Sequence, residues 1–291
     1  MPKRVGLQEL RVGVRRRADL ENSDFCSDSE IDDYVNSAWC ELYDILIQKY
    51  SETYFLKSSD VTTVSGTDSY DLPDDFYKVF GVDYKADNND YIPLKRYRFT
   101  QRVRDSSYRR TTADTKYRVQ GEEIFFIPTP DSAKTMRIWY IPNPRLIETT
   151  SPTVISRGST TTWTTSPKNF AVGDFVKLYD FSAVTGDYNT VQKITAVGAA
   201  TITTDFDSTG TSDPTAYGEL CSMIDTYSSW DEYILVDAAM RVLVKEESDI
   251  TPLLTQKNSL LRRIEMAASN RDAGEPQTVT DVSDYDNFYL M

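Results

Sequence analysis

The sequence predicts an α+β fold: a helical bundle from N- and C-terminal helices, a central antiparallel β meander, and an inserted small all-β module. Three observations carry this. Apolar residues recur at helical spacing near both ends of the 291-residue chain. Between the ends the pattern alternates with period two and is punctuated by glycine, proline and aspartate. Helical and strand-like segments are also segregated along the chain, unlike the regular alternation of a parallel α/β fold.

Residues 1–29 read as a basic N-terminal arm and cap. "MPKRVGLQELRVGVRRR" has no sustained periodicity, and "ADLENSDFCSDSE" offers several capping side chains. Ser27 or Ser29 can open a helix over roughly 30–55, with Ile31, Val35, Ala38, Leu42 and Leu46 on one face. Glu30, Asp32 and Asp33 fall in its first turn, where the helix dipole favours acids. From Asp60 the period changes. "FYKVFGVDY" alternates, which places Phe76, Lys78, Phe80 and Val82 on one face and Tyr77, Val79, Gly81 and Asp83 on the other. On that reading Phe76, Phe80 and Val82 anchor the core. "KYRVQGEEIFFIP" reads as a hairpin about Gly121, and "TMRIWYIPNP" as the third strand of a meander.

Residues 150–220 form the inserted β module, a barrel or sandwich. Short apolar bursts, including Val176, Leu178, Ile194 and Ile202, stand in a background of Thr, Ser, Gly and Asp. Helical period returns at Trp230, with Ile234, Ala238 and Val242 on its face behind a serine cap. A second helix opens at Thr251-Pro252 and carries Leu253, Leu260, Leu261 and Ile264; the short joint implies an antiparallel hairpin. The main core therefore spans 30–149 and 221–274, and residues 275–291 form an extended tail ending "FYLM".

Little here suits catalysis. There is no histidine, which removes the commonest general base and metal ligand. Three scattered cysteines cannot build a zinc site or a disulfide framework. Phosphate loops, dinucleotide fingerprints and nucleophile elbows are missing, so no catalytic, cofactor-binding or metal residue is assigned. Adjacent acids such as Asp74-Asp75, Glu122-Glu123 and Glu246-Glu247 would point to opposite faces of a strand, and the first pair suits the turn after Pro73. With no long apolar run and no signal peptide, the chain reads as soluble, made in a cytoplasm and free of membrane contact.

Charge is unevenly spread. Residues 1–17 sum to +5 and residues 95–118 to +7, so the −13 total leaves −25 on the rest. In the second stretch Arg96, Arg98, Arg102, Arg104, Arg109 and Arg110 interleave with Tyr97, Phe99 and Tyr108. Such a segment can follow a nucleic-acid backbone while its rings stack on bases. It can equally dock on an acidic neighbouring subunit, and the acidic body favours the neighbour. The 19 tyrosines fit either a β core or large protein interfaces.

Four stretches, in order, carry a resemblance. They are "LRVGVRRRADLENSDFCSDSEIDDYVNSAWCELYDILIQKY", "YDLPDDFYKVFGVDY", "YRVQGEEIFFIPTPDSAKTMRIWYIPNPRLI" and "WDEYILVDAAMRVLVKEESDITPLLTQKNSLLRRIEMAASNRD". Together they resemble the head-to-tail adaptor proteins of tailed bacteriophages, of the connector or tail-tubular type. The resemblance implies a virion protein without turnover: a homo-oligomeric ring, commonly a dodecamer, beneath the portal in the neck of the particle, assembled in the host cytoplasm. The ring extends the DNA channel, lets the genome pass non-specifically, and offers a platform to a downstream tail or nozzle protein. It further implies that residues 275–291 grip the portal, with Phe288, Tyr289, Leu290 and Met291 as apolar anchors. The module at 150–220 departs from a minimal adaptor. Two other readings stay open: a nucleic-acid-binding virion or accessory protein using 95–118, and a tail-associated hydrolase or carbohydrate-binding protein.

Overall fold

A computed structural model describes residues 3–21, 23, 25–49, 55–86, 90–101, 115–166, 169–183, 185–226 and 230–268. The expected α+β class holds, with helices from both ends of the chain. These helices are α1 (Leu7–Arg17), α2 (Asp28–Lys49), α3 (Asp231–Lys245) and α4 (Thr251–Ala268). Their shared core includes Leu10, Ile31, Val35, Leu42, Ile234, Ala238, Val242 and Ile264. Of the two serines proposed as caps, Ser27 opens α2: its hydroxyl accepts the Glu30 N–H at 3.3 Å and its carbonyl the Ile31 N–H at 3.0 Å. At α4 the cap is Asp249 and not Thr251, because the Asp249 carboxylate accepts the Thr251 N–H at 2.9 Å and its hydroxyl at 2.6 Å.

The N-terminal arm is corrected. Residues Lys3–Gly6 form strand β1 and run directly into α1. Leu7, Leu10 and Val14 are buried at i, i+3 and i+7, so α1 is an amphipathic member of the bundle.

The middle of the chain is a sandwich. Strands β2 (Lys57–Thr62), β3 (Ser69–Asp71), β4 (Phe76–Lys85) and β5 (Tyr91–Pro93) come first. Strands β6 (Lys95–Arg96), β7 (Lys116–Gln120), β8 (Glu123–Ile127) and β9 (Thr135–Pro142) follow. They make two four-stranded sheets, β2-β9-β4-β5 and β3-β8-β7-β6. Ile124, Phe126, Met136, Ile138 and Val82 form the core of this unit. The β7–β8 hairpin turns at Gly121, whose φ of 63° is left-handed backbone that glycine adopts without strain. The expected meander breaks after it. β9 pairs with β2 and β4 instead of β8. Pro128 and Pro130 follow β8, and neither has an N–H to extend the ladder, so the chain leaves the sheet there and rejoins the opposite one.

In β4 the simple alternation fails. Register shifts between Phe76 and Lys78 and between Val79 and Gly81 each insert an extra residue. Core contact passes to Phe76, Val79, Val82 and Tyr84, while Phe80, expected inside, is 46% exposed. Val79→Asp should therefore cost about 2–3 kcal/mol, whereas Phe80→Asp should stay within about 0.5 kcal/mol of the parent. Urea unfolding of the two variants checks this, and the reverse ranking would restore the unbroken alternation.

A third unit holds the remaining strands: β10 (Thr149–Thr150), β11 (Thr153–Ser156), β12 (Thr161–Thr164), β13 (Phe175–Tyr179) and β14 (Ser182–Ala183). β15 (Val191–Val197), β16 (Thr201–Thr204), β17 (Pro214–Ala216) and β18 (Glu219–Thr226) complete it. The main sheet runs β1-β18-β13-β15-β16-β12-β11, with β10 also on β18, and β14 pairs with β17 separately. Among the described residues its ends do not meet, so the closed barrel among the expected forms is not realised. Gly218 lets β18 start against β13, since a Cβ there would sit 1.8 Å from the Tyr179 carbonyl oxygen. The N-terminal strand β1 also belongs to this sheet, which ties the module to the helical bundle at its root.

Candidate assembly interface

The two basic stretches meet different fates. The six cations of residues 1–17 all pair within the chain. Lys3 binds Asp231, Arg4 binds Asp225 at 3.0 Å, Arg16 binds Glu21 at 3.4 Å, and Arg17 binds Glu232. Arg15 reaches Asp28 at 2.7 Å and also donates to the carbonyls of Ser23 and Cys26 at 2.9 Å each. Arg11 makes a two-pronged contact with Asp32, both bonds at 2.5 Å, and reaches Glu219 at 3.1 Å and the Thr149 hydroxyl at 3.3 Å. Paired in this way, the described cations of the first stretch lie along β1 and α1 as parts of the fold and do not form a projecting arm.

The second stretch stays on the surface where it is described. Lys95 and Arg96 lie exposed on β6, the edge strand of its sheet, paired parallel to β7. Tyr97 turns inward and is 6% exposed, so Arg96 and Arg98 on either side of it face outward together. Phe99 is 50% exposed, with the Arg118 guanidinium 4.6 Å from its ring centre. Lys116 on β7 adds a fifth cation to this edge. Arg102, Arg104, Arg109 and Arg110 lie outside the described residues, as do Phe288, Tyr289, Leu290 and Met291. Only Arg96 and Arg98 of the proposed contacts can therefore be placed, and they are placed together.

The acidic turn at "LPDD" is structural. Burial pushes Asp75 up, but hydrogen bonds from the Tyr140 hydroxyl at 2.6 Å and from Lys57 at 3.1 Å outweigh it and hold the carboxyl below the usual range. Asp74 beside it is exposed, and both acids line one shallow depression of about 620 Å³ with Asn143 and Arg145, where Asp75 is already committed to Tyr140 and Lys57. A groove of about 380 Å³ opens nearby, lined by Trp39, Phe55, Arg145, Leu146, Phe175 and Asp225 among others. Its acids are engaged: Asp174 pairs with Arg145, and Asp225 with Arg4.

Among the described residues no group of three His, Cys, Asp or Glu side chains could hold a metal. Burial pushes the Cys26 thiol up to about 11 and the Cys221 thiol to about 12, far from the range of a reactive thiolate. No helix among the described residues is long and apolar enough to cross a membrane.

The exposed faces of the bundle were missed by the sequence reading, although spacing alone could have found them. On α2, Ser29, Asp33, Ser37 and Asp44 recur along one outward line, opposite the buried Ile31, Val35 and Leu42. On α4, Thr255, Asn258, Ser259, Arg262 and Met266 do the same opposite Leu260 and Ile264, and they line an open trough of about 780 Å³. Met266 is 74% exposed.

A family model described as SU10 adaptor protein matches residues 6–213. No curated protein matches the chain. The match begins at the foot of α1, covers the whole sandwich and runs on through most of the third unit. Residues 150–213 of the module taken as a departure from a minimal adaptor thus lie within the matched span, and its last strand lies beyond it.

Proposed function

Because the chain belongs to the SU10 adaptor protein family of phage structural proteins, we propose that it joins the portal of the filled head to the tail as a ring of identical copies. The observation that carries this reading is the extent of the family match, which spans α1, α2, the sandwich and most of the third unit. In this reading the ring is a dodecamer in the neck of the virion, it extends the channel through which the genome passes, and it works without catalysis. Its partners are the portal above and a tail or nozzle protein below, and residues 275–291 reach the portal through Phe288, Tyr289, Leu290 and Met291.

The surface chemistry supports a role in assembly. An overall charge of −13 makes copies repel unless contacts are locally complementary. The edge carrying Lys95, Arg96 and Arg98 supplies one such place, and its partner in this reading is an acidic surface of a neighbouring subunit. The same cations beside an exposed Phe99 favour a second reading, contact with the phosphate backbone of the genome.

Imaging of the virion neck, and of purified chain mixed with portal complexes, tests the first reading. A ring of this chain seated beneath the portal is the expected result, and absence of the chain from disrupted virions would sink it. Reversing charge at Arg96 and Arg98 separates the two uses of the edge. Loss of rings with DNA retention unchanged assigns it to a neighbour; loss of DNA retention with rings intact assigns it to the genome.

A further inference from the structure

We propose that neighbouring copies join through their helical bundles, the outer face of α4 on one copy packing against the outer face of α2 on the next. This rests on the ring reading above and names the contact that would build it. The two faces are chemical opposites. Along α2 the outward line is Ser29, Asp33, Ser37 and Asp44, acidic with small residues between. Along α4 it is Thr255, Asn258, Ser259, Arg262 and Met266, with a cation and no acid. Asp33 to Asp44 and Thr255 to Met266 span the same number of residues, about 16 Å of helix each.

Both faces are exposed to solvent. Asp44 accepts the Tyr77 hydroxyl at 3.2 Å, but the carboxylate of Asp33 and the guanidinium of Arg262 make no ion pair or hydrogen bond among the described residues. Serine and threonine on facing lines let helix axes approach to about 8 Å. The exposed Met266 can fill what irregular space remains, being unbranched and flexible.

A second copy is the occupant that the charges select. Each face points away from the core shared by α2, α3 and α4, so α2 and α4 of one subunit cannot meet through them. The faces are also different patches on one molecule. Their union is head-to-tail, and such contacts close into rings when the rotation between copies allows.

The contact is tested with full-length chain and portal complexes, using Arg262→Glu, Asp33→Arg and an equimolar mixture of the two, with ring particles counted by electron microscopy. Each variant alone opposes like charges at every contact and should reduce rings about ten-fold or more. In the mixture every altered face can meet a complementary one on the other variant, so rings should return. Singles that ring as the parent does would overturn the contact, as would a mixture that stays dispersed. If the unaltered chain itself forms no rings on portals, the ring reading fails and this contact falls with it.

Discussion

Trp163→Ala is expected to cost about 3–5 kcal/mol and to loosen the third unit ahead of the helical bundle. Trp163 is fully buried at the centre of that unit's own core, which is separate from those of the bundle and the sandwich. Its ring meets Phe181 edge-on at 5.5 Å and Tyr188 at 5.8 Å. Its indole N–H donates to the Thr204 hydroxyl at 3.2 Å, and that hydroxyl donates on to the buried Gln192 Oε1 at 2.7 Å. Truncation removes the shared ring and strands a polar chain that already sits out of water. Hydrogen exchange on the full chain should show protection lost first in β12, β15 and β16, with α2 and α3 little changed. Trp163→Phe keeps most of the packing and should recover more than half of the loss. A cost below about 1 kcal/mol would mean that the unit is not organised around this residue.

The helices were the most legible part of the sequence. In α2 and α3 apolar residues repeat at 3.6-residue spacing long enough to outweigh any single exception, and Ile31, Val35, Leu42, Ile234 and Val242 are buried as that spacing requires. Over α1 the same signal was present but short. Leu7, Leu10 and Val14 were masked by the four arginines of α1, and nothing local reveals that Arg11 and Arg17 find acids in other helices of the fold. Pairing between β1 and β18 is similarly hidden, because it joins Lys3 to Thr226 across almost the whole described chain.

Strand β4 shows a different limit. Period-two reading assumes an unbroken ladder, and two bulges within one strand shift its inward residues twice. Phe80 was assigned inward by arithmetic that was sound for a regular strand. The interface residues were legible only in part. A basic, aromatic stretch announced itself by composition, and Arg96 and Arg98 do share an exposed edge, but whether an edge meets protein or DNA depends on a partner that composition does not specify.

Arg11→Met should lower stability by about 2–3 kcal/mol, with the effect centred where the third unit is rooted. The Asp32 hydrogen bonds raise the basicity of this guanidinium further, against the opposing pull of burial. Its side chain is only 11% exposed, and it joins four parts of the chain: α1 itself, Asp32 of α2, Thr149 of β10 and Glu219 of β18. β10 and β18 are the strands by which the chain enters and leaves the third unit, so one side chain holds both connections to the bundle. Methionine fills a similar length but leaves Asp32 and Glu219 facing each other without a cation. Fully buried pairs broken in this way cost about 3–5 kcal/mol. The smaller figure reflects the water that still reaches Asp32 and Glu219, whose side chains are 20% and 38% exposed. Arg11→Lys separates charge from geometry: an ammonium cannot reproduce the two-pronged bond to Asp32, so it should recover less than half of the loss. A double cycle with Asp32→Asn should give a coupling of about 1–2 kcal/mol. Full recovery by lysine would reduce Arg11 to a diffuse positive charge, and β10 and β18 would then have to be held by backbone pairing alone.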